Sequence, residues 1–167
     1  MKERYYLAYG SNMNLDQMEF RCPAATVVGN VHVEDHRLAF RGSGGKYGVA
    51  TILPEKGSRV DGVLWKITPE CESSLDRYEG YPHLYSKEMI TVCDKAGRQQ
   101  NVTVYLINEP HKSSPAMPTD FYLKGILDGC RQNGLSTKPV MDAVRQTKQE
   151  LDVAKGKKKE TYKTWER

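Results

Sequence analysis

The sequence predicts an α+β fold, a mixed curled sheet or β-barrel of about seven strands flanked by helices. Short β-branched or alternating segments are separated by Gly, Asp, Pro or Asn turns, and helical patterns occur near the start, middle and end of the chain. A chain of 167 residues normally forms one domain around one core. We therefore expect a single domain over residues 1–153 and a basic C-terminal tail, residues 154–167, that is frayed.

The predicted strands are short segments bounded by turn residues. The first is the apolar run 5–9, which ends at Gly10. The other six are residues 26–33, 37–40, 49–53, 60–67, 89–93 and 102–107.

The helices are predicted from capping residues and apolar periodicity. Asn14 opens the first, with Gln17 placed to complete a capping box. The second covers residues 69–78, with Pro69 in its first turn. The last begins near Ser136 and runs through Leu151.

A third helix is predicted between these, over residues 121–132, closed by Asn133 and Gly134. Its broad apolar face is predicted to contain Phe121, Leu123, Ile126, Leu127 and Cys130.

Charge and composition exclude several classes of protein. The net charge is +4, and residues 154–167 hold six basic and two acidic side chains, so the rest of the chain is neutral. Basic residues confined to a tail do not predict a nucleic-acid groove on a folded face. The apolar run at 5–9 is too short for a signal peptide, and no stretch is long enough to span a membrane. We expect a cytoplasmic protein.

Cysteines and histidines give no metal or disulfide pattern. The four cysteines lie far apart without a CxxC pair. His32 and His36 have helical metal-pair spacing but lie in strand-like sequence without the Glu of an HExxH motif. We therefore expect no metal and reduced, mostly buried thiols.

The first candidate for chemistry is the run Tyr9, Gly10, Ser11 and Asn12, where a strand turns directly into a helix start. Such a turn presents unpaired backbone N–H groups, with Ser and Asn side chains as further donors. These groups suit a carboxylate or a developing oxyanion. The same residues also fit an ordinary strand-to-helix turn.

The second candidate is Glu79, at a predicted helix end among aromatic residues and braced by Gly80 and Pro82. Lost hydration and a helix C-terminus both disfavour a negative charge, so we expect a raised pKa and a usable proton shuttle. The alternative interpretation of Glu79 is a solvated glutamate at a surface turn. Asp76, one turn earlier, is a competing carboxylate.

Two weaker candidates remain. The Gly-rich segment 41–48 lacks the order of a P-loop and leads into a strand, which favours a hairpin or lid loop. A cysteine nucleophile, Cys22, Cys93 or Cys130 with His83 or His111, has little support in the sequence, because only Cys22 has a basic neighbour.

Three segments together resemble the gamma-glutamylcyclotransferase-like family. They are YLAYGSNM at the start, LDRYEGYPHLY in the middle and DFYLKGILDGCRQNGLS late in the chain. The similarity covers most of residues 5–150. It implies a mixed β-barrel with flanking helices, a cavity at one end, and release of a gamma-glutamyl group as 5-oxoproline with a free amine.

The resemblance also implies roles for individual residues. Glu79 matches the family's acid/base glutamate, and Tyr85 and Tyr122 match tyrosines that line its cavity. The substrate-binding loop falls on Tyr9, Gly10, Ser11 and Asn12, where it holds either the oxyanion or the α-carboxylate.

The implied reaction needs no enzyme nucleophile and no cofactor, because the substrate's own α-amine attacks its γ-carbonyl. The expected partner is a small gamma-glutamyl molecule, with no nucleic acid and no membrane; a homodimer stays open. The leaving group stays open between an amino acid and a simple amine. Two other functions also stay open: a non-catalytic small-molecule or peptide binding module on the same fold, and an RNA-associated protein that uses the basic tail.

Overall fold

The computed structural model describes residues 4–42 and 47–165, with side chains as far as Lys157. Within these ranges, five strands close into a barrel. They are β1 (Arg4–Ala8), β2 (Thr26–Gly42), β3 (Gly48–Ile67), β4 (Tyr85–Cys93) and β5 (Gln99–Ile107). The spatial order is β1, β3, β2, β4, β5, with β1 and β5 parallel and every other pair antiparallel. The predicted barrel with a mixed sheet is confirmed.

The number of strands differs from the prediction because two pairs of predicted segments are continuous. Segments 26–33 and 37–40 both lie on β2, and segments 49–53 and 60–67 both lie on β3. The register between β2 and β3 shifts at Glu34 and His36, and Asp35 between them has a φ of 56°. Such a bulge bends a strand without ending it, so the polar residues that resemble a turn in sequence lie inside one long hairpin.

Four helices surround this barrel within the described ranges: α1 (Leu15–Arg21), α2 (Pro69–Glu79), α3 (Asp120–Gln132) and α4 (Lys138–Trp165). Asn14 caps α1 as predicted, because its side-chain oxygen accepts from the Gln17 N–H at 3.0 Å. Pro69 occupies the first turn of α2 as predicted. Gly80 ends that helix with a φ of 64°, a conformation that glycine adopts at little cost.

The prediction for the buried face of α3 is right for Ile126 and Cys130 and wrong for Phe121, whose side chain is 86% exposed. The helix approaches the segment before α1 at Gly129 and the first turn of α1 at Gly125. A Cβ on Gly129 would lie 2.8 Å from the Asn14 nitrogen, so the contact requires glycine there. Phe121 lies in the first turn of α3, beyond this close contact, and is left in solvent.

Helix α4 is longer than expected. It buries Val140, Ala143 and Thr147, and its Glu150 forms a salt bridge with the buried Arg41 of β2 at 2.9 Å. The helix then continues to Trp165 through residues for which we expected a frayed backbone. Residues 152–157 are exposed, so the expectation that the tail adds little to the core stays a prediction.

The Gly-rich segment connects β2 to β3. Gly42 pairs with Gly48, as the two ends of a hairpin do, while residues 43–46 lie outside the described residues. Within the described part of the chain, no helix has the length and apolar character needed to cross a membrane.

Candidate active site

A cavity of about 220 Å³ lies between the loop after β1, the end of α2, the start of β3 and the start of α3. All seven residues that the sequence singled out line it, although they come from distant parts of the chain: Tyr9, Gly10, Ser11, Asn12, Glu79, Tyr85 and Tyr122. The remaining lining residues were not singled out: Tyr6, Val49, Ala50, Tyr78, Leu84 and Tyr105.

The loop after β1 forms one turn of 3₁₀ helix, Ser11–Met13. Its first backbone bond is donated by the Met13 N–H to the Gly10 carbonyl at 3.0 Å. The N–H groups of Ser11 and Asn12 therefore precede the first bond of the turn and have no carbonyl partner within it. These are the N–H groups that the sequence predicts as donors, and their role in binding stays a prediction.

Gly10 gives this loop close contact with its surroundings. A Cβ there would lie 3.1 Å from the Ala50 Cβ and 3.8 Å from the Tyr122 hydroxyl. Glycine at this position therefore keeps space free where the loop meets β3 and α3.

Asn12 is buried and links four parts of the molecule through its side chain and its backbone carbonyl. Its Nδ2 donates to the Tyr6 hydroxyl at 2.9 Å and lies 3.4 Å from Glu79 Oε1. Its Oδ1 accepts from the Arg21 guanidinium at 2.7 Å, and its backbone carbonyl accepts from the Trp65 indole N–H at 3.0 Å. The Asn12 amide is therefore held in one orientation.

The Ser11 hydroxyl, which the sequence predicts as a further donor, already has a hydrogen-bond partner. Its Oγ lies 3.0 Å from the Tyr78 hydroxyl, and the two share a hydrogen bond. The side chain of Ser11 thus ties the loop to α2, and the backbone N–H groups carry more of the loop's capacity to bind an anion.

Glu79 is the last residue of α2 and faces the cavity. Burial raises the pKa of its carboxyl to about 7, and the positive charge of Arg21 partly opposes that rise. The direction matches the expectation from sequence. A carboxyl with this pKa exchanges a proton readily near neutral pH.

Asp76, the competing carboxylate, binds Tyr105 and Lys87. It accepts a hydrogen bond from the Tyr105 hydroxyl at 2.5 Å and forms a salt bridge with Lys87 at 3.1 Å. It is not among the described residues that line the cavity. The structure therefore favours Glu79 over Asp76 as the carboxyl that acts in the cavity.

Two tyrosines hold one residue of β3, Ala50. The Tyr85 hydroxyl donates to the Ala50 carbonyl at 2.5 Å, and the Ala50 N–H donates to the Tyr122 hydroxyl at 3.0 Å. Burial raises the pKa of both phenols well above the ordinary value. They stay neutral around pH 7 and form a polar wall without charge.

Tyr9 and Tyr6 complete this wall. The Tyr9 hydroxyl donates to the Tyr105 carbonyl at 2.5 Å, and burial raises the pKa of Tyr9 and of Tyr6. Tyr6 also packs edge-on against the Tyr105 ring, with 5.7 Å between the ring centroids.

The thiols do not join the site. Cys22 is buried with its Sγ donating to the Cys71 carbonyl, and burial raises its pKa to about 12. Burial also raises the pKa of Cys130. The donor atoms of His32, Glu34 and Cys93 lie within 4.8 Å of one another, but none of these residues lines the cavity.

Sequence reasoning missed the residues that reach the site only through folding. Tyr6 and Tyr105 were noted only as members of strands, and Arg21 only as a neighbour of Cys22. Tyr6 lies in an apolar run that predicts a strand, but no local signal shows which side chains it meets.

Comparison with known proteins identifies the family. The gamma-glutamyl cyclotransferase, AIG2-like family matches residues 6–124, well over half of the chain. This chain belongs to that family. It is similar to the gamma-glutamylcyclotransferases of Bos taurus and Homo sapiens, each 33% identical over 137 residues, which cover 78% of this chain and 71% of the relative.

A solved structure agrees with this membership. A gamma-glutamyl cyclotransferase superposes with a TM-score of 0.74 at 29% sequence identity, covering 88% of this chain and 87% of the other. The resemblance inferred from the three sequence segments is confirmed, and with it the prediction of a gamma-glutamylcyclotransferase-like enzyme.

Proposed function

We propose that this protein cyclises gamma-glutamyl amides, releasing 5-oxoproline and a free amine, with Glu79 as base and then acid. The observation that carries the proposal is the position of Glu79. A carboxyl with a pKa of about 7 lines the same small cavity as the N–H groups of the Ser11–Met13 turn.

The chemistry balances with one proton carrier. Ionised Glu79 takes a proton from the substrate's α-ammonium, and the neutral amine attacks the γ-carbonyl to form the ring carbon–nitrogen bond. The tetrahedral intermediate then expels the original amide nitrogen, which takes the proton from Glu79 as it leaves. The ring nitrogen gives up its second proton by the same route, through the Glu79 carboxylate to the released amine, so that neutral 5-oxoproline and an ammonium group result. The carboxylate is regenerated, and no oxidant, reductant or second substrate is needed.

The lining of the cavity supports a reaction without an enzyme nucleophile. Among the described residues that line it there is no Cys, Lys or His, and its single serine hydroxyl is bonded to Tyr78. Five-membered ring closure is intramolecular, so holding the glutamyl chain in an attacking conformation lowers the barrier by itself.

The turn after β1 is proposed to hold negative charge on the substrate. Its N–H groups suit both the α-carboxylate and the oxyanion of the intermediate. Kinetics separate the two roles, because loss of carboxylate binding raises KM, whereas loss of oxyanion stabilisation lowers kcat.

The test is product analysis. The protein is incubated with gamma-glutamyl dipeptides and gamma-glutamylamines, and 5-oxoproline and the released amine are measured by mass spectrometry. Equal amounts of both products, absent with Glu79→Gln, are expected. Binding of these compounds without any product would support the binding module that the sequence left open.

A further inference from the structure

Arg21, the last residue of α1, lies behind the wall of the cavity. It is not among the described residues that line the cavity, yet it contacts two residues that do. Its Nη1 donates to Asn12 Oδ1 at 2.7 Å, and its guanidinium carbon lies 3.7 Å from the centre of the Tyr78 ring.

We propose that Arg21 is a positioning residue that fixes the orientation of Asn12 and supplies the permanent positive charge that acts on Glu79. The inference rests on the function proposed for Glu79 and adds what controls that carboxyl. Arg21 acts through Asn12 and through its charge, and it does not touch the substrate.

The orientation of Asn12 follows from donor and acceptor chemistry. A guanidinium only donates, so it requires the oxygen of the amide on its own side. The amide nitrogen is then directed at the Tyr6 hydroxyl and at Glu79 Oε1. A reversed amide would place its oxygen against the Glu79 carboxylate and lose the bond to Arg21.

The stacking on Tyr78 holds the guanidinium in place. An aromatic ring attracts a planar cation placed over its face. The Arg21 guanidinium can therefore stack on Tyr78 while one of its N–H groups donates to Asn12. Two contacts tie the turn after β1 to α2: Ser11 with Tyr78, and Asn12 with Glu79. Arg21 contacts one residue of each pair, Tyr78 and Asn12.

Arg21 acts on Glu79 as a positive charge, unlike the phenols around that carboxyl. The other titratable groups that interact with Glu79 are phenols from β1, the loop after it, β4, β5 and α3: Tyr6, Tyr9, Tyr85, Tyr105 and Tyr122. Burial raises the pKa of each, so these phenols are neutral while Glu79 titrates. Among the described residues, Arg21 is the charged group that lowers the pKa of Glu79 against the effect of burial.

The test measures Glu79 without relying on turnover. Protein labelled with ¹³C at the glutamate carboxyls is titrated by NMR, and the Glu79 resonance is assigned by its loss in Glu79→Gln. Parent, Arg21→Met and Arg21→Lys are compared, with Arg131→Met as the control, because Arg131 lies at the exposed end of α3 and its guanidinium bonds to Asp128.

We expect Arg21→Met to move the Glu79 midpoint upward by roughly one pH unit, since an opposite charge nearby favours the ionised form. Arg21→Lys keeps the charge and should move it by less than half as much. Arg131→Met should leave it at the parent value. An unchanged midpoint in Arg21→Met would overturn the proposal.

Kinetics provide the second readout. The acidic limb of the kcat/KM profile is expected to move upward with the NMR midpoint in Arg21→Met. If Arg21→Met does not fold, Arg21→Lys is the deciding variant. A lower kcat, with the acidic limb of the profile within about 0.5 pH unit of the parent, supports the proposal. An unchanged kcat contradicts the orienting role. An inactive parent with a shifted midpoint would refute the proposed function alone.

Discussion

Asn12 and Glu79 lie 67 positions apart in sequence, and their side chains meet with 3.4 Å between Asn12 Nδ2 and Glu79 Oε1. This contact joins the turn after β1, which has N–H groups unpaired within the turn, to the end of α2, where the proposed proton carrier lies. The two are brought together because β1 pairs with β3, the strand that leads into α2.

Glu79→Gln is expected to lower kcat by about 10² to 10⁴-fold while the protein stays folded, because glutamine keeps the shape but cannot exchange a proton. Product formation is measured by mass spectrometry. Asp76→Asn is the control, since Asp76 bonds to Tyr105 and Lys87 outside the cavity, and it should retain most of the turnover. A Glu79→Gln rate within about threefold of the parent would exclude Glu79 as the shuttle.

The stability of the protein is expected to depend on the charge of Glu79. Its folded pKa of about 7 exceeds the ordinary value, so the folded state binds this proton more tightly than the unfolded state does. The stabilisation is complete below the unfolded pKa, about 4.3, and is lost as pH rises through 7.

Glutamine resembles the protonated form at every pH. The Tm of Glu79→Gln should therefore match the parent at low pH and exceed it at pH 8, in thermal melts recorded at intervals between these values. A Tm difference that stays constant with pH would show that Glu79 has an ordinary pKa.

Gly10→Ala is expected to weaken catalysis without unfolding the protein. Its Cβ would lie 3.1 Å from the Ala50 Cβ, so β3 or the loop must shift at the cavity. KM and kcat are measured for this variant, for Ser11→Ala, which should do less, and for Gly29→Ala, where a Cβ meets nothing within 4 Å. Parent-like kinetics in folded Gly10→Ala would contradict a close approach of substrate to the loop.

Tyr122→Phe is expected to destabilise the protein by about 1 to 3 kcal/mol, because it leaves the Ala50 N–H without its partner. Tyr85→Phe removes the donor to the Ala50 carbonyl. Since both tyrosines hold the same residue, a double-mutant cycle by urea denaturation should give non-additive losses. Additive losses would show that the two tyrosines act independently.

A chain ending at Val153 is expected to stay folded and to keep its activity on small substrates. Val153 is 59% exposed and residues 154–157 are exposed, so their removal uncovers little core. Melting curves and KM values of the short and full chains are compared. A Tm lower by several degrees, or a much larger KM, would show that the end of α4 belongs to the domain.

The sequence by itself determined the local features of this protein. Asn14, Pro69 and Gly80 mark helix ends, because capping depends on residues within a single turn. The raised pKa of Glu79 was also predictable in direction, from a carboxyl placed among nearby aromatic residues. The ordered motifs around it were sufficient to indicate the family.

Only the tertiary structure decided which groups meet. It joined predicted segments into longer strands through the bulge at Asp35, paired Asp76 with Lys87, and brought Arg21 against Asn12 and Tyr78. Local patterns carry no information about which residues of other helices, strands and loops a side chain will contact. Those contacts depend on barrel closure and helix packing, which follow from the burial of the whole core.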